Sequence, residues 1–343
     1  MENKLQLVVH GRGNAWPVPL GETHPFYDRT DPRELSNSAF SLVLESGGQP
    51  VADILVDAGH GTIQSLVSGS NRIPDCICLT HGHMDHTVSV DWVVQSYWRL
   101  HNKQKLYPVY ASAPVYEFLV QSYPHLEELV EFNELVPGIT LPVAQPGHIR
   151  LTSYPVFHGK SAVGASMLLF ETDDKRILFT GDLFSPLLRQ EDYTHLNGID
   201  MVVADSNNRF PWPRTNHWSF SGHPVDPLQR AESLTSYLET LGWEEVTGPH
   251  SMSVAGESTR AYFNGLKEEW SLSEQPFTVV EFLKKIEPQQ VVLVHYSGTE
   301  DAKYHDEAIL NSGQLLNWIT RTAHDSGIGS RFIVPQTGEV ICI

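Results

Sequence analysis

Four side chains with metal-ligand chemistry, His81, His83, Asp85 and His86, fall within six positions at the end of an apolar run, in CICLTHGHMDH. Alternate side chains share a face along extended backbone, so His81 and His83 point the same way. A chain that turns helical at Asp85 and His86 sends the next two back toward the same point. A surface histidine tract seldom follows a strand so closely. Val90, Val93, Val94 and Tyr97 then recur at helical spacing, which puts the cluster on a strand-loop-helix turn able to hold two cations. One apolar run earlier, ILVDAG ends on Asp57.

The HGHMDH stretch resembles the signature loop of the metallo-β-lactamase superfamily. The likeness extends through later strand ends, with His158 in PVFHG, Asp182 in LFTGDL and His295 in VVLVHYSG following in order. The resemblance implies a four-layer αβ/βα sandwich of the α/β class. It also implies two metal ions: His81, His83 and His158 on one, Asp85, His86 and His295 on the other, and Asp182 bridging. Asp85, Asp182 and Asp57 are then the catalytic carboxylates, with Asp57 accepting hydrogen bonds that hold the histidine loop instead of touching metal. Imidazole and carboxylate without thiolate suit two Zn²⁺ per chain first and Mn²⁺ second.

Within the superfamily, GRGNAWPVP, SNSAFSLVLE and Gly59-His60-Gly61-Thr62 after Asp57 resemble the branch of tRNA 3′-processing endonucleases and related phosphodiesterases. Glycines there let backbone approach the metal loops closely. That branch carries a long substrate-gripping arm between the positions matched by His158 and Asp182, where this chain has room for one hairpin, and ADSN stands where a His-Glu-Ala-Thr segment is expected. A net charge of -18, from 23 Lys+Arg against 41 Asp+Glu, also argues against a large phosphate-neutralising footprint. The expected activity is therefore hydrolysis of a small, cyclic or linear phosphodiester by a metal-bridging hydroxide, with a small anionic substrate and no stable duplex nucleic acid or membrane as partner. A lactonase- or thioesterase-type hydrolase is the alternative enzyme, disfavoured by FHGKS where those branches show Gly-His-Thr. A metal-binding or regulatory member without activity is the alternative outside enzymes. The branch is often homodimeric.

Because ligands spread from Asp57 to His295 must converge, residues 1–343 read as one domain with an irregular, cap-like insertion at about 207–257. His217, His223 and His250 in the insertion, with Tyr296 and Ser297 beside His295, are candidate substrate contacts. One of the three histidines is a candidate general acid. The Pro/Asp-rich stretch before residue 36 carries Trp16, His24, Tyr27 and Arg29 and reads either as a loop over the site or as an ordinary surface Ω-loop; His148, in a Pro-Gly turn, reads as idle. No apolar run is long enough to span a bilayer or to form a signal peptide, and only three cysteines occur, so a soluble protein of the reducing cytoplasm is expected. Cys76 and Cys78 alternate with Ile77 and face the same way. The closing stretch RFIVPQTGEVICI reads as a terminal hairpin.

Overall fold

A computed structural model describes residues 3–18, 20–26, 31–143, 149–158, 162, 164–182, 185–206, 257–269, 276, 278–296 and 308–343. Tyr27, Arg29, His148, Ser297, His217, His223, His250 and the expected insertion short of Glu257 lie outside the described residues.

The apolar alternation sorts the strands into two sheets. The first contains β1 (Asn3–Gly11), β2 (Ala39–Ser46), β3 (Gln49–Val56), β4 (Cys76–Cys78), β5 (Tyr107–Ala111) and β6 (Val130–Glu134), with the last strand, β15 (Val340–Cys342), on its edge against β1. The second contains β7 (Thr140–Val143), β8 (Ile149–Phe157), β9 (Ser166–Glu171), β10 (Arg176–Phe179), β11 (Ser185–Pro186), β12 (Met201–Asp205), β13 (Gln290–Val294) and β14 (Arg331–Ile333). Their order is β11-β8-β9-β10-β12-β13-β14, with β7 also on β8.

Period-two burial makes three cores from two sheets. Leu7, Leu42, Ile54, Cys76 and Cys78 of the first sheet meet Leu168, Phe170, Phe179 and Val203 of the second between the layers. Ile77 and Leu55 instead face outward with Leu66 of α1 (Thr62–Ser68), Val93 and Val94 of α3 (Val90–Leu100), and Val115 and Leu119 of α4 (Ala113–Ser122). On the far side Met167, Leu169 and Leu293 pack on α5 (Gln190–Leu196), α7 (Val279–Ile286) and α8 (Ser312–Asp325) through Leu196, Phe282 and Leu315. Each fully buried aliphatic side chain contributes about 1.5–3 kcal/mol. Helix, sheet, sheet and helix layers give the expected α/β sandwich, and Cys76 and Cys78 do share a face, unpaired.

Two local findings differ from the sequence reading. The terminal strands form no hairpin: β14 pairs in parallel with β13 in the second sheet, while β15 pairs antiparallel with β1 in the first. The connecting stretch is long enough to cross between layers, and Gly338 takes φ +91° within it. The second finding is α6 (Glu257–Glu269), a helix left unassigned from sequence, whose Tyr262 hydroxyl donates to Asp192 Oδ2 at 2.7 Å and to the Leu187 carbonyl at 3.0 Å. Among the described residues, no helix is long and apolar enough to cross a membrane.

Candidate metal centre

The residues expected at the centre lie at the carboxyl ends of strands or in the loop and short helix that follow one. Asp57 follows β3, His81 and His83 follow β4, Asp85 and His86 lie in the short α2 (Met84–Thr87), His158 follows β8, Asp182 follows β10 and His295 follows β13. Both sheets present these ends at one edge of the sandwich. Two groups of donor atoms result, His81-His83-His158 and Asp85-His86-Asp182-His295, each with its atoms within 4.8 Å of one another.

Asp182 faces both groups. Its Oδ2 is 3.7 Å from His158 Nε2, 3.9 Å from His81 Nε2 and 2.9 Å from His295 Nε2, and its Oδ1 is 3.3 Å from His86 Nε2. Asp85 Oδ2 completes the second group at 3.5 Å from His86 Nε2 and 3.4 Å from His295 Nε2.

Asp57 stands behind this set, as anticipated. Its Oδ1 accepts the Thr80 N–H at 2.8 Å, and its Oδ2 accepts the Thr80 hydroxyl at 2.7 Å and lies 2.8 Å from His86 Nδ1. The first residue of the histidine loop and the imidazole that ends it are thus pinned by one buried carboxylate. Gly59 earns its place by close approach: a Cβ there would lie 2.0 Å from the Asp85 carbonyl oxygen. Asp57 and His295 both take left-handed backbone, φ 56° and 58°, uncommon for non-glycine residues and a mark of strain held at a site.

One residue was missed from sequence. Asp205, at the end of β12, lies with Oδ1 3.5 Å from His295 Nδ1, behind the imidazole face that turns to Asp182. β12 and β13 run parallel with Asp205 opposite Val294, so the carboxylate is delivered by sheet register. A strand-end acid in MVVAD was the available signal.

Electrostatics divide the histidines. Burial pushes His81 well below the ordinary imidazole pKa, and the nearby His86 adds to the shift. Burial also acts on His86, but Asp182, Asp85 and Asp57 outweigh it and hold its pKa well above the usual value. His295 is raised the same way by Asp182, Asp205 and Asp85. For Asp182, burial raises the pKa, but the imidazoles of His295 and His86 overcome this and carry it well below the carboxylate range.

A cation fits this arrangement. His86 Nε2 and Asp182 Oδ1 are buried and face one another without a hydrogen bond, which is costly unless a third party satisfies both. Imidazole and carboxylate converging without thiolate is the donor chemistry of Zn²⁺ or Mn²⁺.

A family model for the beta-lactamase superfamily domain matches residues 53–230. The chain belongs to the metallo-β-lactamase superfamily. Among curated relatives, Endoribonuclease YSH1 of Mycosarcoma maydis is 30% identical over 132 residues, 34% of this chain and 14% of that protein. This chain therefore spans a small part of the relatives it matches. Among solved structures, a diphosphatase of the PhnP family aligns with TM-score 0.59 at 16% identity, over 98% of this chain and 97% of that one. The short form of human tRNase Z aligns with TM-score 0.52 at 13% identity, over 98% of each chain. These likenesses show the shared fold. Membership of the superfamily implies a divalent-metal site, for which the two donor groups are the candidate.

The candidate substrate contacts fare differently from the ligands. Tyr296 turns its hydroxyl to the Leu310 carbonyl. It lines a cavity of about 290 Å³ together with Arg12, His24, Phe26 and Ser312. Trp16, in the same N-terminal stretch as His24, is exposed.

Proposed function

We propose that this chain is a dinuclear-metal phosphodiesterase acting on small nucleotides or other compact phosphodiesters, with two Zn²⁺ per chain and Mn²⁺ as the second choice. The observation that carries this reading is Asp182, one carboxylate whose two oxygens face His86 on one side and His81, His158 and His295 on the other. His81, His83 and His158 would hold one ion, Asp85, His86 and His295 the other, with Asp182 between them.

A bound pair of divalent ions supplies Lewis acidity to a phosphoryl oxygen and an activated water near neutral pH. The protein's own part is to hold the imidazoles in orientation. Asp57 fixes His86 and Thr80, and Asp205 stands behind His295. Burial of His81, His86, His158, Asp182 and His295 strengthens the field these side chains exert on a phosphate.

Support for phosphodiester chemistry comes from the functions named for the relatives, an endoribonuclease, a diphosphatase and a tRNase Z. Support for a small substrate comes from charge and from the short interval before Asp182. In that interval β9 and β10 form a tight hairpin closed by Thr172 N–H to Lys175 O at 2.8 Å. With a net charge of -18, few cations remain to grip an RNA body.

The test is a hydrolysis panel on metal-replete protein: cyclic mononucleotides, dinucleotides, precursor tRNA, a lactone and a thioester, alongside elemental analysis. We expect two ions per chain and turnover of small phosphodiesters well above that of precursor tRNA, with weak salt dependence. Trimming of precursor tRNA with no activity on any small phosphodiester would reject the size claim. Turnover confined to the lactone or thioester would reject the phosphodiesterase itself.

A further inference from the structure

The centre is not closed equally on all sides. His81 and His158 are buried, whereas His83, the third member of their group, keeps partial exposure. A substrate therefore meets this group from the His83 side, and what flanks His83 there is apolar. Gly82 precedes it, Met84 follows it, and Phe118 reaches over from α4. A Cβ on Gly82 would lie 2.9 Å from Phe118 Cδ1 and 3.3 Å from Cγ, so the phenyl ring rests directly on the histidine loop with no side chain between. Phe118 is nonetheless 44% exposed and Met84 67% exposed.

The fold has little use for these two side chains. The stripe that packs α4 into its core is Val115 and Leu119, and Phe118 lies off it. A half-solvated phenyl and a solvated thioether leave much of their burial stabilisation unrealised. What α4 does provide is a fixed position. Ser112, the residue just before its first turn, donates from Oγ to the Gly164 carbonyl at 2.7 Å, and Phe118 one and a half turns later lies on Gly82. One helix thus touches the loop carrying His81 and His83 as well as the segment that follows His158. The ring is set rigidly against the group that the phosphate would approach.

We infer that Phe118, lying on the histidine loop that also carries the exposed Met84, is the platform on which a planar aromatic group of the substrate, a nucleobase, stacks while its phosphate lies against the donor groups. This rests on the phosphodiesterase reading above and adds a specificity determinant to it. Stacking on a phenyl face tolerates every base, because every base has a π-face, and a thioether packs favourably at ring edges. The platform therefore selects nucleotides over sugar phosphates and alkyl phosphates, and does not select one base by hydrogen bonding.

The experiment compares ligands that share a phosphate and differ in the base. Calorimetric titration of the metal-loaded protein with adenosine 5′-monophosphate and with ribose 5-phosphate should show the nucleotide binding about tenfold tighter or more. Phe118→Ala should bring the nucleotide down to the ribose 5-phosphate affinity and leave ribose 5-phosphate unchanged. Phe118→Leu, which keeps the volume on Gly82 without a π-face, should also lose the preference, and Phe118→Trp should retain it. Met84→Ala should lose a smaller part. Metal content and circular dichroism establish that each variant is folded. Equal affinity for the two ligands in the wild type, or a nucleotide preference surviving both Phe118→Ala and Phe118→Leu, would overturn the platform while phosphodiester turnover stands. If neither phosphate binds and only a lactone or thioester is hydrolysed, the phosphodiesterase reading has failed and the platform with it.

Discussion

Among the described residues, buried histidines lie in two regions; burial lowers the pKa in both, and for His86 and His295 nearby carboxylates outweigh it. At the strand-end edge, His86 and His295 lose their hydration yet have pKa values well above the ordinary one, because Asp182 and Asp85 stand within about 4 Å. On the outer face of the first sheet His10 is equally dry, with Ser65 Oγ at 2.9 Å from Nδ1 and Ser41 Oγ at 2.9 Å from Nε2. Hydroxyls bring no charge to offset desolvation, and its pKa is lowered to about 4. Burial sets the direction of a shift until an opposite charge comes close. The serine-flanked histidine is thereby locked neutral as a packing group, and the carboxylate-flanked ones form a set of charges whose balance a cation completes.

Removing the shared carboxylate should break the edge most severely. Asp182→Ala should abolish binding of the second ion and lower hydrolysis by about a thousandfold or more, since one residue faces both groups. Elemental analysis and turnover on the best phosphodiester check it. His10→Gln, measured alongside, should leave metal content unchanged. Metal loss in the His10 variant would erase the distinction between the two regions.

The outer histidine should instead reveal itself in stability against pH. Its folded pKa, about 4, lies below the unfolded value of 6.5, so above pH 6.5 both states are neutral and its contribution is fully present. As pH falls below 6.5 the unfolded chain takes up a proton that the folded chain refuses, and stability declines until about pH 4. The gap amounts to about 3 kcal/mol. Urea unfolding at pH 7 and pH 4 should show this component in the wild type and not in His10→Gln. Parallel acid limbs in the two proteins would mean that His10 is solvated in the folded state.

The edge was readable from sequence because its ligands follow strand ends in a short run, His81 to His86, and then singly after recognisable apolar strands. The supporting roles of Asp57 and Gly59 could be read too, since both adjoin a strand end in the chain itself. Asp205 could not. Its relation to His295 depends on β12 and β13 being parallel neighbours, with 89 intervening residues in the chain hiding the pairing. The terminal hairpin failed for the same reason: two short strands adjacent in sequence belong to different sheets, and only non-local pairing decides which. Phe118 was not singled out from the sequence, because its partly exposed position against Gly82 is a property of packing.

Asp205→Asn sharpens the comparison by weakening one carboxylate behind a ligand without touching the donor groups. An acid behind a metal-binding imidazole fixes its tautomer and raises its basicity, and losing one typically costs 10–100-fold in metal affinity. Competition with a chelator of known affinity should show a loss of about that size for one ion of the two. Unchanged affinity for both would make the 3.5 Å approach to His295 Nδ1 incidental.

The smallest expected effect separates the regions through two hydroxyls. Thr80 Oγ1 donates to Asp57 Oδ2 at 2.7 Å, and Ser41 Oγ meets His10 Nε2 at 2.9 Å; both are buried and each holds one member of its cluster. Thr80→Val keeps the shape and removes that donor, while the Thr80 N–H to Asp57 Oδ1 bond at 2.8 Å survives. It should cost about 1–2 kcal/mol in urea unfolding, because the acceptor is a carboxylate, and lower metal affinity only a few-fold. Ser41→Ala removes a hydroxyl that meets His10 and also the Asp53 carboxylate, and should cost about 1–2 kcal/mol with no change in metal affinity. The two variants match in burial and differ in what the hydroxyl serves. An equal metal defect in both would show that strain travels from the outer face to the edge through β2 and β3, and a defect in neither would leave Asp57 positioned by its backbone contact alone.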